Sequence, residues 1–381
     1  MVKARSRTAR AGVPAGAPIV IAALAALTAA GCGSGAGAAP KITTTARAGV
    51  APTPPTKGAY FGAWVPPEVR GKRTSPSTSS PTTASDTPSG SPSGSPSGSG
   101  GPSAKPTGKD AGKPGMAPVV GFERQLGRQL DIVQNYASWK APFPGDLDTS
   151  VLSGNRYLLL TWGSADTKEI VQGTHDELIR DRARAIKATG KPVFLRWSRD
   201  MDKKSALPRV HSAADFIAAW KHLRTIFKQE KVDNVAWVWC PSARGFGSGN
   251  AGSFYPGDGE VDWICADAQP GGDYDYRDLS EAVKLFMEWA RGRAKPIMIA
   301  EFGVPQSYGE RRAEWLRAAA KTLQDPQIKA VVYFDSDEQA DDPRDKRRAF
   351  SVTGDKRAVS ALREIATTPY FNPRNLPVTS D

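Results

Sequence analysis

The chain has 381 residues, enough for two ordinary domains or for one barrel of alternating strands and helices. Hydrophobic residues make up 39 %, a little low for a compact globule, and 31 Pro and 37 Gly imply that part of the chain is unfolded. The net charge of +12 sits mostly outside the stretches that pattern as folded: residues 1–57 hold seven Lys or Arg and no acid, and residues 71–118 add five against Asp86 and Asp110, together +10. The remainder, near +2, offers no counterion-release engine, so no nucleic-acid partner is expected.

The N-terminus reads as an export signal. Lys3, Arg5, Arg7 and Arg10 form a basic leader, and residues 17–30 (APIVIAALAALTAA) form an apolar run too short to span a bilayer comfortably. Small residues then lead to Cys32 in Ala29-Ala30-Gly31-Cys32. This resembles a bacterial lipobox with Ala29 in place of the usual Leu, which implies cleavage before Cys32 and its lipidation. The expected location is the outer face of the bacterial cell membrane, anchored at Cys32, or free secretion. Residues 33–57 are rich in Gly, Ala, Thr and Pro and are read as a flexible tether.

A second low-complexity stretch, 74–104, has one charge, no aromatic residue and no Leu, Ile or Val. It cannot bury enough apolar surface to offset its ordering entropy. Residues 71–118 are therefore expected to form a disordered Ser/Pro/Gly-rich insertion. The strand-like run 59–64 (AYFGAW) just before it has no nearby partner and is read as the first strand of the domain that resumes near Val119.

Seven further apolar runs follow: 131–137, 156–162, 192–197, 235–240, 261–266, 296–301 and 329–334. Most are almost continuously apolar, as strands buried on both faces should be. Between them, 176–188, 213–227, 279–289, 313–323 and 358–365 repeat apolar residues at helical spacing. Eight strands with interleaved helices predict a (β/α)8 TIM barrel over 58–70 and 119–372. A doubly wound sheet would want a Gly-rich phosphate turn after an early strand, and none is present.

Functional residues of such a barrel belong at the C-terminal ends of the strands. Trp64, Trp139, Trp162, Arg196, Trp239, Asp267, Glu301 and Phe334 cluster there. Glu301 ends a strand after four apolar residues and needs a partner at that depth; Arg196, ending another strand, is positioned to be one. Asp200 follows the strand that carries Arg196. Two carboxyl groups on facing strand ends are the minimum kit for glycoside hydrolysis, and aromatic faces stack on the C–H faces of sugars. Trp220 and Trp289, on helices, are read as core. Cys240 and Cys265 are read as two buried small residues rather than as a disulfide. The three Cys and three His residues and the acidic pairs Asp335/Asp337 and Asp341/Asp342 lack metal-ligand spacing, so neither metal nor cofactor is expected.

The ordered series of 60–64 (YFGAW), 191–197 (KPVFLRW), 235–241 (VAWVWCP), 254–258 (FYPGD), 261–263 (VDW), 296–303 (PIMIAEFG) and 330–334 (AVVYF) resembles glycoside hydrolase family 26, the β-mannanase-type enzymes. That resemblance implies a retaining (β/α)8 hydrolase acting on a β-linked polysaccharide as a monomer. It places Glu301 on the nucleophile and Asp200 on the acid/base; Trp64, Trp139, Trp162, Arg196, Trp239, Asp267 and Phe334 are read as substrate-binding from their places at the strand ends, Asp267 standing where the family usually has an aromatic residue. The chain departs from the family's pattern at the acid/base: Arg199-Asp200 stands where a His-Glu pair is usual. An Asp carboxyl retracts by about one C–C bond, and a misplacement near 1 Å can cost on the order of 100-fold in rate. A flanking Arg also favours the ionised form, the wrong state for a general acid. Three readings follow: a hydrolase of reduced activity, a carbohydrate-binding relative that has lost its acid, and a barrel scaffold without a sugar ligand.

Overall fold

A computed structural model describes residues 42–67, 110, 112–270, 276–337 and 346–378. The leader, Cys32, Asp341, Asp342 and residues 71–109 and 111 of the insertion lie outside the described residues; a helix over Met116–Leu126 begins inside the bounds expected for the insertion. Eight parallel strands close into a barrel in sequence order: β1 (Tyr60–Trp64), β2 (Ile132–Ala137), β3 (Tyr157–Trp162), β4 (Val193–Trp197), β5 (Val235–Trp239), β6 (Trp263–Asp267), β7 (Ile297–Phe302) and β8 (Ile328–Phe334). β1 pairs with β2 on one side and with β8 on the other, so the run before the insertion is the first barrel strand. Each observed strand lies within two residues of its predicted bounds. The helices at Asp176–Ala188, Ala213–Gln229, Leu279–Arg291, Arg312–Thr322 and Lys356–Thr367 cover the predicted amphipathic runs.

Side-chain size decides which face of each strand points inward. In β5, Ala236 and Val238 pack inside the barrel, while Trp237 and Trp239 pack outward against the helical layer. Inward-facing residues share the narrow lumen with those of seven other strands, so small side chains such as Ala236 and Val238 interleave there with a few large ones such as Phe194 and Trp263. Gly62 of β1 is required by that crowding, because a Cβ there would lie 2.7 Å from the Ile132 Cβ of β2. Trp220, as expected, is fully buried in the outer layer, and Trp289 packs partly buried against it.

Residues 42–57, expected to be part of a flexible tether, instead pack across the N-terminal end of the barrel. The Thr43 amide donates to the Ala294 carbonyl at 2.6 Å, the Thr45 amide donates to Asp262 at 3.1 Å, and the Thr53 carbonyl accepts from the Tyr60 hydroxyl at 3.0 Å. Threonines whose hydroxyls and amides find a buried carboxylate explain why a Pro/Thr-rich stretch is held in place. A second correction concerns Cys240 and Cys265, which form a disulfide between the ends of β5 and β6. Their Cα atoms are 4.4 Å apart, within bridging range, because adjacent parallel strands bring two inward-facing positions side by side. Among the described residues no helix is long and apolar enough to cross a membrane.

Candidate active site

At the C-terminal mouth of the barrel the chain concentrates charge that the rest of the lumen excludes. β4 contributes Arg196, which is fully buried. Its guanidinium donates from all three nitrogens: Nη2 to Glu301 at 2.5 Å, Nη1 to Asp267 at 2.6 Å and Nε to the Thr161 hydroxyl at 2.9 Å. Glu301 is 2 % exposed and also accepts hydrogen bonds from the Tyr136 hydroxyl and, at 3.5 Å, from the Gln134 amide. Three strand ends, β4, β6 and β7, therefore meet at one guanidinium, and β2 adds the Tyr and Gln donors.

Glu301 reaches this position by breaking its strand. Alternation in β7 puts Met298 and Ala300 inside and Ile297, Ile299 and Phe302 outside. The register against β8 slips between Ile299 and Phe302, and Glu301 takes a φ of 49°. This irregularity turns the carboxylate into the lumen, as bulges near active sites do. Ser198 (φ 49°) and Asp200 (φ 55°) flank Arg199 in the same left-handed region. Three of the six positive-φ residues other than Gly among the described residues thus surround one carboxylate cluster. Such conformations cost about 1–3 kcal/mol each and persist where the surroundings over-determine them.

The electrostatics separate the two buried acids that share Arg196. Burial alone would raise the Glu301 pKa, but the Arg199 and Arg196 guanidiniums, helped by Tyr136, outweigh it and hold the pKa at about 2. Asp267 moves the other way: burial pushes its carboxyl well above the ordinary range, Arg196 opposes this, and the Glu301 charge reinforces it. The shared guanidinium thus sits between one acid held well below the ordinary range and a neighbour pushed above it. Burial, and then the Glu301 charge, likewise keep the Tyr136 phenol protonated, so it serves Glu301 as a donor.

Asp200 lies beside this pair in a cationic grip. Its Oδ2 accepts from the Arg199 guanidinium and from the Lys203 ammonium at 2.8 Å, and its buried Oδ1 has no hydrogen-bond partner. Arg199 also reaches Glu301, with Nε 3.4 Å from Oε1, and its guanidinium lies over the Tyr136 ring at 5.2 Å. A single guanidinium therefore spans the gap between Asp200 and Glu301. Two cavities flank it. One, of 520 Å³, is lined by Tyr136, Trp162, Ser198 and Asp200 among others; the other, of 380 Å³, by Ser242, Asp267, Gln269 and Glu301 among others.

The aromatic residues divide. Trp64 packs edge-on against Tyr136 with centroids 4.8 Å apart, and Phe334 packs against Phe350 at 5.8 Å, so both lie at the mouth beneath the charged cluster. Trp162 lines the larger cavity and stacks on Trp139 at 4.4 Å, yet both are almost wholly buried. Trp239 is not part of the mouth. It faces outward among Phe246, Tyr255 and Trp289 of the outer layer. Asp335 and Asp337 hold the loop after β8 by accepting the Val352 and Ser351 amides at 2.8 Å each.

Gln134, Tyr136 and Lys203 were not singled out in the sequence as members of this cluster. A Gln and a Tyr two apart in an otherwise apolar strand (IVQNYA) were the available signal for the first two. Asp202 and Glu260, the other acids near enough in sequence to stand in for a general acid, are engaged elsewhere. Asp202 accepts from the Ser242 amide and hydroxyl at 2.9 and 2.5 Å, and Glu260 pairs with Arg224 at 3.3 Å before β6.

No family model matches the chain. Among curated proteins it is similar to endoglucanase H of Acetivibrio thermocellus, 25 % identical over 278 residues, covering 68 % of this chain and 30 % of that protein. It is also similar to the β-1,3-xylanase TXYA of a Vibrio species, 27 % identical over 151 residues, covering 38 % and 30 %. The chain thus spans about a third of the length of each curated relative. Among solved structures it resembles the family 26 endo-β-1,4-mannanase catalytic domain of Bacillus sp. JAMB-750, with a TM-score of 0.56, 12 % identity and coverage of 82 % and 86 %. It also resembles the β-mannanase of a symbiotic protist of the termite Reticulitermes speratus, with a TM-score of 0.52, 13 % identity and coverage of 89 % and 99 %. At these identities the likeness is one of fold: the (β/α)8 barrel that these glycoside hydrolases use.

Proposed function

We propose that this protein is a glycoside hydrolase of the family 26 type, acting on a β-linked polysaccharide, with Glu301 as nucleophile. The observation that carries the reading is an ionised carboxylate, bulged out of β7 into the barrel mouth and aimed by Arg196 and Tyr136. In the reaction, a Glu301 oxygen bonds to the anomeric carbon as the glycosidic C–O bond breaks, and the bonding pair leaves with the aglycone oxygen, which takes up a proton. Water then hydrolyses the glycosyl ester and frees Glu301. Asp200 stands at the acid/base position, and a sugar ring seated between the two carboxylates must displace the Arg199 guanidinium. Trp64, Trp139, Trp162, Asp267 and Phe334 are proposed to shape the sugar site from beneath, and Arg196 to hold Glu301 ionised.

The double ion pairing of Asp200 favours a second reading, a carbohydrate-binding relative whose acid is disabled. Aryl β-mannosides and β-glucosides with a good leaving group separate the two, because departure of a phenolate needs no proton. Turnover by the wild type, abolished in Glu301→Ala, supports the hydrolase. No turnover by a folded wild-type protein, together with retention on immobilised glycan, supports the binding protein.

The proposal includes location. The basic leader, the apolar run and Cys32 support a protein working outside the cytoplasm, anchored through a lipid on Cys32 or secreted. Metabolic labelling with a fatty acid, lost in Cys32→Ser, tests the anchor.

A further inference from the structure

The N-terminal end of a barrel of this kind ordinarily serves stability alone, and an unpaired charge buried there is costly. Lys329, at the start of β8, is such a charge. It is 8 % exposed, and among the described residues its ammonium has neither a hydrogen-bond acceptor nor an ion-pair partner. Burial lowers its pKa from the ordinary lysine value, with no carboxylate acting against that shift.

Lys329 lines a cavity of 550 Å³ at this end of the barrel. The apolar walls are Ile42, Pro54 and Pro55 from the stretch packed across the barrel, Pro326 before β8, and Tyr370. They are held in place. The Ala59 amide donates to the Tyr370 carbonyl at 2.9 Å, and the Tyr370 hydroxyl donates to the Asp325 carbonyl at 3.2 Å. Gly58, with a φ of 69°, permits that approach, because a Cβ there would collide with the Tyr370 carbonyl. Besides Lys329 the polar lining is Thr56 and the exposed Lys57, and no acid lines the cavity. Asp325, beside Pro326, is engaged: Oδ1 accepts from the Gln327 amide at 2.9 Å and Oδ2 faces Arg291 at 3.7 Å. Of the stretches outside the described residues, 68–109, 271–275 and 338–345 follow β1, β6 and β8 at the opposite end of the barrel. Residues 1–41, which lead into the wall at Ile42, carry five cations and no acid, and 379–381 carry one acid, Asp381.

We propose that this cavity is a second binding site, separate from the candidate active site, for a small organic anion: a carboxylate that pairs with the Lys329 ammonium while its apolar body lies against the proline and tyrosine walls. The walls select against inorganic ions, because phosphate or sulfate would lose hydration against apolar surface with too few donors to replace it. An apolar body gains from the same walls, and the single ammonium orients it.

Benzoate and benzamide, alike in shape and different in charge, are the probes, titrated into the full chain by ligand-observed NMR. A hydrogen bond from a charged, desolvated donor predicts that benzoate binds about tenfold or more tighter than benzamide. Lys329→Met keeps an unbranched stem and removes the ammonium, so the two probes should then bind within about twofold of each other. Lys57→Ser should keep the preference, and inorganic phosphate at equal concentration should not displace benzoate. The wild type also carries the test without any variant: saturating benzoate should slow reductive methylation of Lys329 several-fold, mapped by mass spectrometry, and leave the exposed Lys228 unchanged. No binding of benzoate, equal affinity for the two probes, a preference that survives Lys329→Met, displacement by phosphate, or no protection of Lys329 would each overturn the proposal. Tighter benzoate binding by Asp381→Asn would overturn it too, since the chain's own acid would then be the occupant.

Discussion

Replacing Arg196 by Met tests the organisation of the mouth at its centre. The substitution keeps an unbranched side chain in the lumen and removes three hydrogen bonds, at 2.5, 2.6 and 2.9 Å, to Glu301, Asp267 and Thr161. Opposite charges about 4 Å apart at an effective dielectric near 20 attract by about 4 kcal/mol. Removing one partner of a buried pair costs about 3–5 kcal/mol, because the other charge is left uncompensated. Arg199 remains near Glu301, so the lower part of that range, about 3 kcal/mol, is expected. The assay is urea unfolding of wild type and variant at pH 7, repeated at lower pH. In the wild type the depressed Glu301 pKa contributes stability that is present above its ordinary value of 4.5 and lost as the pH falls towards 2. The variant lacks the part of that contribution that Arg196 supplies, so the gap between the two proteins should narrow on acidification. Adding Glu301→Gln to Arg196→Met should recover at least half of the loss at neutral pH. A variant within 1 kcal/mol of wild type at pH 7, or a gap that widens with acid, would refute the reasoning.

Three further outcomes follow from the same geometry. Asp267→Asn mimics the protonated carboxyl; because the raised pKa makes Asp267 lose its stabilising contribution as pH rises, the variant should match wild type at acid pH and exceed it at high pH in thermal unfolding. Cys240→Ala/Cys265→Ala opens a loop of 25-residue separation and should lower stability by about 3 kcal/mol in denaturant titration, with the reduced wild type behaving alike. Asp335, buried and pushed up to about 6, should anchor the loop after β8 through Val352. Amide exchange of residues 350–352 should change near pH 6 in the wild type and stay flat in Asp335→Asn.

The barrel was legible because its strands are short, apolar and separated by helical periodicity, signals that depend only on burial. The partner of β1 was legible for a less direct reason: a strand with no neighbour in sequence must find one across an insertion. The site was legible in part. Glu301, Arg196 and Asp267 stood out because charge at a strand end in an apolar run requires a partner, and the three do partner one another. Alternation would have turned Glu301 outward, and only the β7 bulge brings it in; nothing in IMIAEF announces a register slip. Trp239 misled because an indole at a strand end signals size as readily as stacking. Trp239 went where there was volume, and the small residues beside it, Ala236 and Val238, were the clue. The Cys240–Cys265 pairing needed the strand register, which no single strand carries.

The most direct test of Glu301 as nucleophile is the mass of the protein after reaction with an activated 2-deoxy-2-fluoro-β-glycoside, which slows release of a glycosyl ester. A mass increase of one fluoroglycosyl group is expected, mapped to the peptide containing Glu301 and absent in Glu301→Gln. Turnover of aryl glycosides with no adduct, or an adduct on another carboxylate such as Asp267 or Asp200, would contradict it.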